Sequence, residues 1–313
     1  MPNRLPWWEM CPGSVLRFLE HSTATTSAVY SCTSVMSDWG CQISSDSQLL
    51  IGFTVESQSC AAAIHDAARA FGYPVNITTV QFPELIDGDY AKPLVPYDAI
   101  LSPGGHDIDP RYFTAEVGPE MKSRLEEEHR MFGNGGDGSL DWMNPLYAAR
   151  DDQEFKFMTA YFREPSFSRL PLLGICYGMQ MMAAVQGIPM YVDITHDLSL
   201  SPRRNIDSIS FMSDRAGPLC AVLGPQTFQA VKNHHQSVNL KFIEEHPELY
   251  PGVSIDATSS QGKILEILSF KDRPAVGIQF HAETSSPRVS TAVFGWFLNR
   301  AWENRSSRLA LKS

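Results

Sequence analysis

The stretch Leu170-Pro171-Leu172-Leu173-Gly174-Ile175-Cys176-Tyr177-Gly178-Met179-Gln180 decides the fold of this chain. Its first six residues are mostly apolar and predict a buried strand, and residues 177–186 predict the helix that leaves it. A strand that turns into a helix through Gly-x-Cys-x-Gly is the thiol form of a nucleophile elbow, where flanking glycines leave room for a tight, strained turn. The thiol would lie at a helix N-terminus, which favours the reactive thiolate. We therefore expect Cys176 to be a catalytic nucleophile rather than a core cysteine.

A second apolar strand, further along the chain, ends in a histidine and a glutamate two residues apart, in Gly277-Ile278-Gln279-Phe280-His281-Ala282-Glu283. A cysteine nucleophile needs an imidazole that takes its proton and later returns it to the leaving amine, and the imidazole needs an acceptor that orients it. A histidine at a strand end is, by itself, more often structural. The order Cys…His-x-Glu favours catalysis, so we assign Cys176, His281 and Glu283 to a catalytic trio.

An oxyanion hole would complete this chemistry, because attack on an amide carbonyl places negative charge on its oxygen. Two preorganised backbone N–H groups are the usual stabilisers. One would be the N–H of Tyr177, directly after the nucleophile. The other would come from Gly104 or Gly105, of which we favour Gly105, in the sharp turn Pro103-Gly104-Gly105 that follows a predicted strand at residues 97–102. A plain turn is the alternative interpretation of Pro-Gly-Gly.

Strands alternate with helices around these motifs. Predicted strands cover residues 49–53, 75–80, 97–102, 170–175, 206–211, 230–231, 253–257, 264–269 and 275–280, and predicted helices cover residues 61–71, 151–162, 177–186 and 288–302. Such alternation predicts an α/β fold with a mostly parallel central sheet flanked by helices on both faces.

The chain divides into four parts at this level. Residues 1–46 are rich in Ser and Thr without a convincing period, and form an N-terminal extension whose order the sequence does not decide. Residues 47–303 form the predicted catalytic domain, in which 114–149 is a long loop or an insertion with a glycine-rich run. Residues 304–313 are a predicted C-terminal tail.

Composition narrows the class of protein. Hydrophobic residues make up 43% and charged residues 19%, as in an ordinary soluble globular protein. The formal net charge of −10 argues against binding to nucleic acid or to an anionic membrane. Apolar runs fall far short of the roughly 20 residues of a membrane helix, and no signal-peptide pattern opens the chain, so we expect a cytoplasmic protein. The six cysteines show no Cys-x-x-Cys spacing, and we expect neither a metal nor a cofactor.

The elbow and the strand ending in His281 and Glu283 resemble class I glutamine amidotransferases. Further segments resemble the gamma-glutamyl hydrolase branch of that family, which includes gamma-glutamyl-gamma-aminobutyrate and glutamyl-polyamine hydrolases. These segments are residues 103–112 (PGGHDIDPRY), 150–155 (RDDQEF) and 231–238 (VKNHHQSV). The resemblance covers residues 49–302, and its motifs occur in the family's order.

This resemblance implies cofactor-free hydrolysis of a small-molecule gamma-glutamyl amide through a gamma-glutamyl thioester on Cys176. It also implies that the glutamyl portion faces Gln180, His234, His235 and Gln236. These side chains supply hydrogen-bond donors that suit a carboxylate, and they suit a structural network equally well. Asp107 and Asp151 are expected to hold local turns, with Asp151 in the first turn of a helix.

Some residues depart from the hydrolase pattern. Ala282 stands where the family usually has proline, and residues 185–191 lack the expected Gly-Gly-Thr-Leu run. Tyr177 replaces the arginine common in the hydrolase branch, and in that detail the elbow resembles the glutaminase portion of GMP synthetase. Two alternatives therefore stay open: a glutaminase subunit that passes ammonia to a separate synthetase partner, and a catalytically silent binding module. The sequence is compatible with a homo-oligomer and does not identify the amine leaving group.

Overall fold

The computed structural model describes residues 48–80, 94–113, 123, 145–200, 205–212, 217–224 and 227–311. The N-terminal extension predicted at residues 1–46 lies outside the described residues. So does nearly all of the long loop predicted at residues 114–149, apart from residue 123 and the last five positions.

A nine-stranded sheet forms the centre of the described chain. Its strands are β1 (Leu49–Phe53), β2 (Val75–Thr79), β3 (Ala99–Ser102), β4 (Leu172–Ile175), β6 (Asn205–Phe211), β7 (Phe228–Lys232), β9 (Val253–Ser259), β10 (Ile264–Phe270) and β11 (Ala275–Ile278). The order across the sheet is β2-β1-β3-β4-β11-β10-β9-β6-β7. The first five strands in this order are parallel, and the remaining four continue the sheet in antiparallel fashion. Two short strands, β5 (Met190–Tyr191) and β8 (Ser237–Val238), pair separately.

Helices cover both faces of the sheet. They are α1 (Gln58–Phe71), α2 (Pro145–Arg163), α3 (Tyr177–Val185), α4 (Ile194–Leu198), α5 (Cys220–Leu223), α6 (Leu240–Glu245) and α7 (Pro287–Ala310). Apolar side chains of α1 and α7 form one core against the sheet, and those of α2 and α3 form the other. The predicted α/β architecture is confirmed, and the antiparallel continuation of the sheet is an addition to it. None of the described helices is both long and apolar enough to cross a membrane.

The local signals around α1 act as the sequence predicts. Ser57 caps the N-terminus by accepting a hydrogen bond from the Cys60 N–H at 3.4 Å. Gly72 ends the helix in the left-handed conformation with φ of 74°, which a residue without a Cβ adopts at little cost. The helix therefore ends where its glycine stop signal indicates.

Two helix boundaries were predicted wrongly. The helix expected to begin at Asp151 begins at Pro145, so Asp151 lies in its second turn instead of its first. The last helix, expected to end at Trp302, continues through Ala310. Arg305 and Arg308 in this extra length form ion pairs with the buried carboxylate of Asp98, which stabilise helix where a tail was predicted.

Gly178, in the first turn of α3, has no room for a side chain. A Cβ on it would lie 2.8 Å from Ser102 Oγ and closer still to the Ser102 carbonyl oxygen, which cannot move without disturbing β3. We expect Gly178→Ala to lower the free energy of unfolding by at least about 1 kcal/mol, because overpacking outweighs the helix propensity of alanine.

Urea denaturation measures this loss. Gly252→Ala is the matched control, because a Cβ at Gly252 would meet no atom within 4 Å. Equal stability of the two variants would contradict the close packing of the elbow against β3.

Candidate active site

The elbow places Cys176 between β4 and α3 in a strained backbone conformation. Cys176 has φ of 49° and ψ of −101°, and is one of few described residues other than glycine with positive φ. Its N–H donates to the Ile278 carbonyl of β11 at 2.7 Å. A Cβ on Gly174 would lie 2.7 Å from the Gly178 carbonyl carbon, so the Gly-x-Cys-x-Gly pattern is a steric requirement. Strain of this kind is concentrated at functional sites.

His281 and Glu283 lie just beyond β11, the parallel neighbour of β4. His281 Nδ1 and Glu283 Oε1 are 2.7 Å apart. The backbone of His281 is fixed as well, because its N–H donates to the Val231 carbonyl at 2.8 Å and its carbonyl accepts from Ser285 Oγ at 2.7 Å. The imidazole is therefore oriented by a carboxylate and held by β7.

The electrostatics of His281 connect it to the nucleophile. Burial by itself would lower the pKa of His281, but the negative charge of Cys176, a weak hydrogen bond to it, and then Glu283 raise that pKa to about 11. The imidazole is therefore protonated at neutral pH when Cys176 is the thiolate. Its other ring nitrogen, Nε2, is buried, and no hydrogen bond of normal length and angle reaches it from the described residues. When the imidazole is protonated, this Nε2–H can donate its proton to a departing amine.

The two glycines of the Pro103-Gly104-Gly105 turn face different neighbours. A Cβ on Gly104 would lie 2.9 Å from His281 Cε1 and 3.8 Å from Cys176 Cβ. A Cβ on Gly105 would instead collide with the guanidinium of Arg150. The turn thus borders Cys176 and His281, and the N–H of Tyr177 belongs to the first-turn amides that lack an intrahelical acceptor. The assignment of Gly105 and Tyr177 as oxyanion donors stays a prediction.

Gln279 is a site residue that sequence reasoning missed. Its Nε2 donates to Cys176 Sγ at 3.5 Å, and its Oε1 accepts from Gln180 Nε2 at 3.3 Å. Alternation along an extended strand places residue 279 on the same side as His281, and this period-2 signal could have identified it. Gln180 also donates to the Gln236 carbonyl at 2.8 Å, so its amide nitrogen serves the structure.

Two of the three predicted substrate-contact side chains in the loop after β7, those of His235 and Gln236, are buried in the fold, and their contact with substrate stays a prediction. The Gln236 side chain donates to the Ile108 carbonyl at 2.8 Å and accepts from the Ile108 N–H at 2.7 Å. This double hydrogen bond uses both ends of the carboxamide. The side chain of His235 is buried, and its carbonyl accepts from the Ile194 N–H at 2.8 Å.

His234 offers a hydrogen-bond acceptor where donors were expected. Its Nδ1 lies 2.9 Å from the Gln236 carbonyl, which can only accept, so Nδ1 carries the proton. Burial, followed by the charges of Lys232 and His281, lowers the pKa of His234 to about 3, and the ring is neutral. Its buried Nε2, which has no partner among the described residues, therefore presents a lone pair. Such an atom suits an ammonium or amide N–H better than a carboxylate.

Asp151 supports the site from α2. Its Oδ1 lies 2.8 Å from His106 Nε2 and accepts from the Tyr177 hydroxyl at 2.9 Å. Its Oδ2 accepts from the Asp109 N–H at 2.8 Å. Asp151 thus holds a turn, as expected, but it does so across the fold instead of at a helix start. No group of three His, Cys, Asp or Glu side chains among the described residues is arranged to hold a metal ion.

Glu266 is a fully buried acid beside the site. Gln279 N–H donates to the Glu266 carbonyl at 2.9 Å, so Glu266 is the neighbour of Gln279 on β10. Ser259 Oγ donates to Glu266 Oε1 at 2.6 Å, and the other carboxylate oxygen has no described partner. Burial is the main cause that raises the pKa of Glu266 from 4.5 to about 7, and Asp207 adds to it.

A pH dependence of stability follows from Glu266. Between pH 4.5 and about 7 the folded chain holds a proton on this carboxyl that the unfolded chain has released. Folding stability contributed by Glu266 is therefore lost as pH rises through this window, by about 3 kcal/mol in total. We expect Glu266→Gln to remove this part of the pH dependence.

Urea denaturation of wild type and Glu266→Gln at pH 5 and pH 8 tests the expectation, with the exposed Glu248→Gln as the control. At each pH the free energy of unfolding of the variant is compared with that of wild type. This difference should be more favourable to the variant at pH 8 than at pH 5. The same stability difference between variant and wild type at both pH values would contradict a buried carboxyl that holds a proton in the folded chain.

Comparison with known proteins supports the family seen in the motifs. The glutamine amidotransferase class-I family model matches residues 150–300. A GMP synthase [glutamine-hydrolyzing] subunit of Ignicoccus hospitalis is 26% identical over 154 residues, which are 49% of this chain and 70% of that protein. The subunit of the same name from Natronomonas pharaonis is 30% identical over 132 residues, 40% of this chain and 59% of that protein. The resemblance to class I glutamine amidotransferases is confirmed over this region, and these relatives are not hydrolases of the gamma-glutamyl branch.

Solved structures share the fold. A protein described as a GMP synthase subunit, from Thermoplasma acidophilum, superposes with a TM-score of 0.51 at 16% identity, covering 85% of this chain and 98% of that chain. The glutaminase domain of Trypanosoma brucei CTPS with bound acivicin has a TM-score of 0.57 at 15% identity, covering 82% and 94%. At these identities the likeness is one of architecture.

Proposed function

We propose that this chain, whose residues 150–300 match class I glutamine amidotransferases, is a cysteine-dependent glutaminase that delivers ammonia to a separate synthetase partner. The observation that carries the proposal is the pairing of a strained thiol at a helix start, Cys176, with an imidazole whose charge responds to it. His281 is oriented by Glu283 at 2.7 Å, and thiolate and carboxylate together raise its pKa.

The first half of the reaction forms a thioester. Cys176 Sγ attacks the side-chain amide carbon of glutamine, and the carbonyl π electrons move onto oxygen, where two backbone N–H groups would stabilise them. His281 gives its proton to the amide nitrogen, the C–N bond breaks, and ammonia leaves. The Gln279 amide, 3.5 Å from Sγ, stabilises the thiolate before attack.

The second half releases glutamate. After ammonia leaves, His281 is neutral and takes a proton from water, which attacks the thioester carbon. The resulting oxyanion occupies the same place as the first one, and its collapse expels the Cys176 thiolate. Glu283 keeps the imidazole in one orientation through both halves and stabilises its charged form.

Delivery to a partner is supported by the sequence relatives, which are named as glutamine-hydrolysing subunits of GMP synthase. Tyr177 points the same way, because a tyrosine after the nucleophile resembles the glutaminase portion of GMP synthetase. Such a subunit leaves the use of ammonia to another protein.

A stand-alone gamma-glutamyl amide hydrolase is the second candidate, and one observation favours it. Of the three segments that resemble the hydrolase branch, residues 103–112 contact each of the other two in the structure. Asp151 binds His106 and the Asp109 N–H, and Gln236 binds the Ile108 backbone. They form one unit around the elbow, which would shape a pocket for a larger amine.

A substrate panel separates the candidates. Glutamate release is measured from glutamine and from gamma-glutamyl derivatives of methylamine, aminobutyrate, a polyamine and aniline. Each measurement is made with and without the synthetase component of a GMP synthase and its nucleotide substrates. The glutaminase proposal expects glutamine to be the best substrate and its hydrolysis to rise when the synthetase component is present.

Other outcomes count against it. Preference for an N-substituted amide by at least about tenfold, or about 1.4 kcal/mol in transition-state binding, would select the stand-alone hydrolase. No release from any amide in either condition would favour the catalytically silent binding module.

A further inference from the structure

Arg150, on α2, contacts both segments that carry the predicted oxyanion donors. Its Nη2 donates to the Pro103 carbonyl at 3.3 Å, and the guanidinium fills the space beside the Gly105 Cα. Its Cζ lies 4.0 Å from the centre of the Tyr177 ring, in a cation–π contact. Its Nε donates to Glu154 Oε1 at 3.2 Å, so the guanidinium is itself held.

Glu154 anchors this arrangement to the sheet. It is buried, and besides Arg150 it accepts from Thr54 Oγ1 at 2.8 Å and from Ser102 Oγ at 2.7 Å. Ser102 is the last residue of β3, directly before the turn. Glu154 therefore links the Arg150 guanidinium to the end of β3, and the face of the guanidinium lies against the ring of Tyr177.

Asp151, the next residue of α2, holds the same two segments from another direction. It accepts from the Tyr177 hydroxyl at 2.9 Å and from the Asp109 N–H at 2.8 Å. The ring of His106, 2.8 Å from Asp151, lies 5.0 Å from the Tyr177 ring. Two consecutive side chains thus link the turn after β3 to the start of α3 at several points.

We propose that Arg150 and Asp151 are positioning residues that set the separation of the oxyanion donors on Gly105 and Tyr177. The inference rests on the proposed thiol chemistry, but it concerns how the hole is assembled and not which amide is cleaved. The turn after β3 and the start of α3 belong to different strand–helix units, and within the described part of the chain no backbone hydrogen bond joins them. The pairing of β3 with β4 fixes the two segments as far as Ser102 and Gly174, and Gly178 packs against Ser102. Beyond these strand ends side chains set the separation of the two donors, and an oxyanion hole tolerates little error in it.

Two thiol reagents test the proposal without knowledge of the substrate. In acylation by p-nitrophenyl acetate, Sγ attacks the ester carbonyl, the electron pair moves to oxygen, and collapse expels p-nitrophenolate. In alkylation by iodoacetamide, Sγ displaces iodide from the methylene carbon and no oxyanion forms. The first rate depends on the oxyanion hole and the second does not, and both depend equally on the thiolate.

The variants are Arg150→Met, Arg150→Lys and Asp151→Asn. Stopped-flow acylation and site-specific mass spectrometry of alkylated Cys176 give the two rates, with the Cys176→Ala background subtracted. We expect the ratio of acylation to alkylation to fall about 10- to 100-fold in Arg150→Met. In Arg150→Lys and Asp151→Asn this ratio should fall less. These two variants test the proposal if Arg150→Met does not fold.

Arg273→Met is the matched control. Like Arg150, Arg273 donates to backbone carbonyls and lies over a buried tyrosine ring, here at 5.6 Å. Its carbonyl acceptors are those of Tyr161 and Phe162, at the other end of α2 from Arg150. The ratio of acylation to alkylation in Arg273→Met should stay within about twofold of wild type, while the free energy of unfolding falls.

The outcomes separate the proposals. Equal changes in acylation and alkylation, or no change in either, would overturn the positioning role. A reduced ratio in a protein whose wild type hydrolyses no gamma-glutamyl amide would leave the positioning role standing and reject the proposed function.

Discussion

We expect Cys176→Ala to abolish glutamate release, with a loss of at least about 10⁴-fold, because the variant lacks the thiol that forms the thioester in the proposed reaction. The fold should survive, since the change removes one sulfur atom and leaves the backbone strain of the elbow in place. The pKa of His281 should fall from its value of about 11, because the thiolate is the main group that raises it. Glutamate release and the NMR titration of the imidazole measure the two effects.

The control for this variant is Cys220→Ala. Cys220 also begins a helix, α5, and is a free cysteine. The Cys220→Ala variant should retain full activity. Cys60 is no substitute nucleophile, because burial and then the charge of Glu283 raise its pKa to about 12. Near-normal hydrolysis by Cys176→Ala would end the proposal of covalent catalysis.

His281→Asn is the second change with a large effect. It removes both the proton acceptor for the thiol and the proton donor for the amine, and we expect amide hydrolysis to fall by about 10³- to 10⁴-fold. Acylation by p-nitrophenyl acetate should fall less, because p-nitrophenolate leaves without a proton. This difference between amide and ester identifies an acid role that a packing defect would not reproduce.

Glu283→Gln should cost less activity than His281→Asn, since the hydrogen bonds to Val231 and Ser285 still hold the His281 backbone.

His246→Asn is the matched control for His281→Asn. His246 pairs with Glu248 at the same His-x-Glu spacing, with 3.6 Å between Nδ1 and Oε1, but the pair is exposed. Equal losses from His281→Asn and from the control would reject the assigned base.

The parts of the site that follow from local sequence could be predicted. The Gly-x-Cys-x-Gly turn and the strand that ends in His281 are contiguous runs, in which neighbouring residues carry the chemistry. The structure brings their ends together because β4 and β11 pair in parallel, with Ile175 opposite Ile278. Parallel pairing was expected from the alternation of strands and helices.

Contacts between distant segments could not be predicted in the same way. Gln236 binds the backbone of Ile108, 128 residues earlier, so a side chain expected at the substrate also joins two distant segments. The tautomer of His234 depends on which carbonyl lies beside Nδ1, and the sequence does not contain that information. Arg150 and Asp151 resembled family residues, but their joint contact with two loops is visible only in three dimensions.

The antiparallel half of the sheet had a signal that went unused. Only four residues, 260–263, separate β9 from β10, and they include Gly262 with φ of 82°. So short a connection permits an antiparallel hairpin and excludes a parallel crossover. The continuous burial of β10 hid this, because a run of apolar residues gives no strand direction.

The anchoring of α7 on Asp98 limits how the chain can be shortened. Asp98 is fully buried, and its carboxylate is neutralised by Arg305 and Arg308, while Asn304 binds its carbonyl at 2.9 Å. A recombinant chain cut at the predicted domain end, residue 303, would leave an anion in the interior with no counter-charge, at a cost of about 3–5 kcal/mol. Asp98 directly precedes β3, whose far end carries the turn at the thiol. Removing the last turns of α7 would therefore loosen β3 and the turn that borders Cys176.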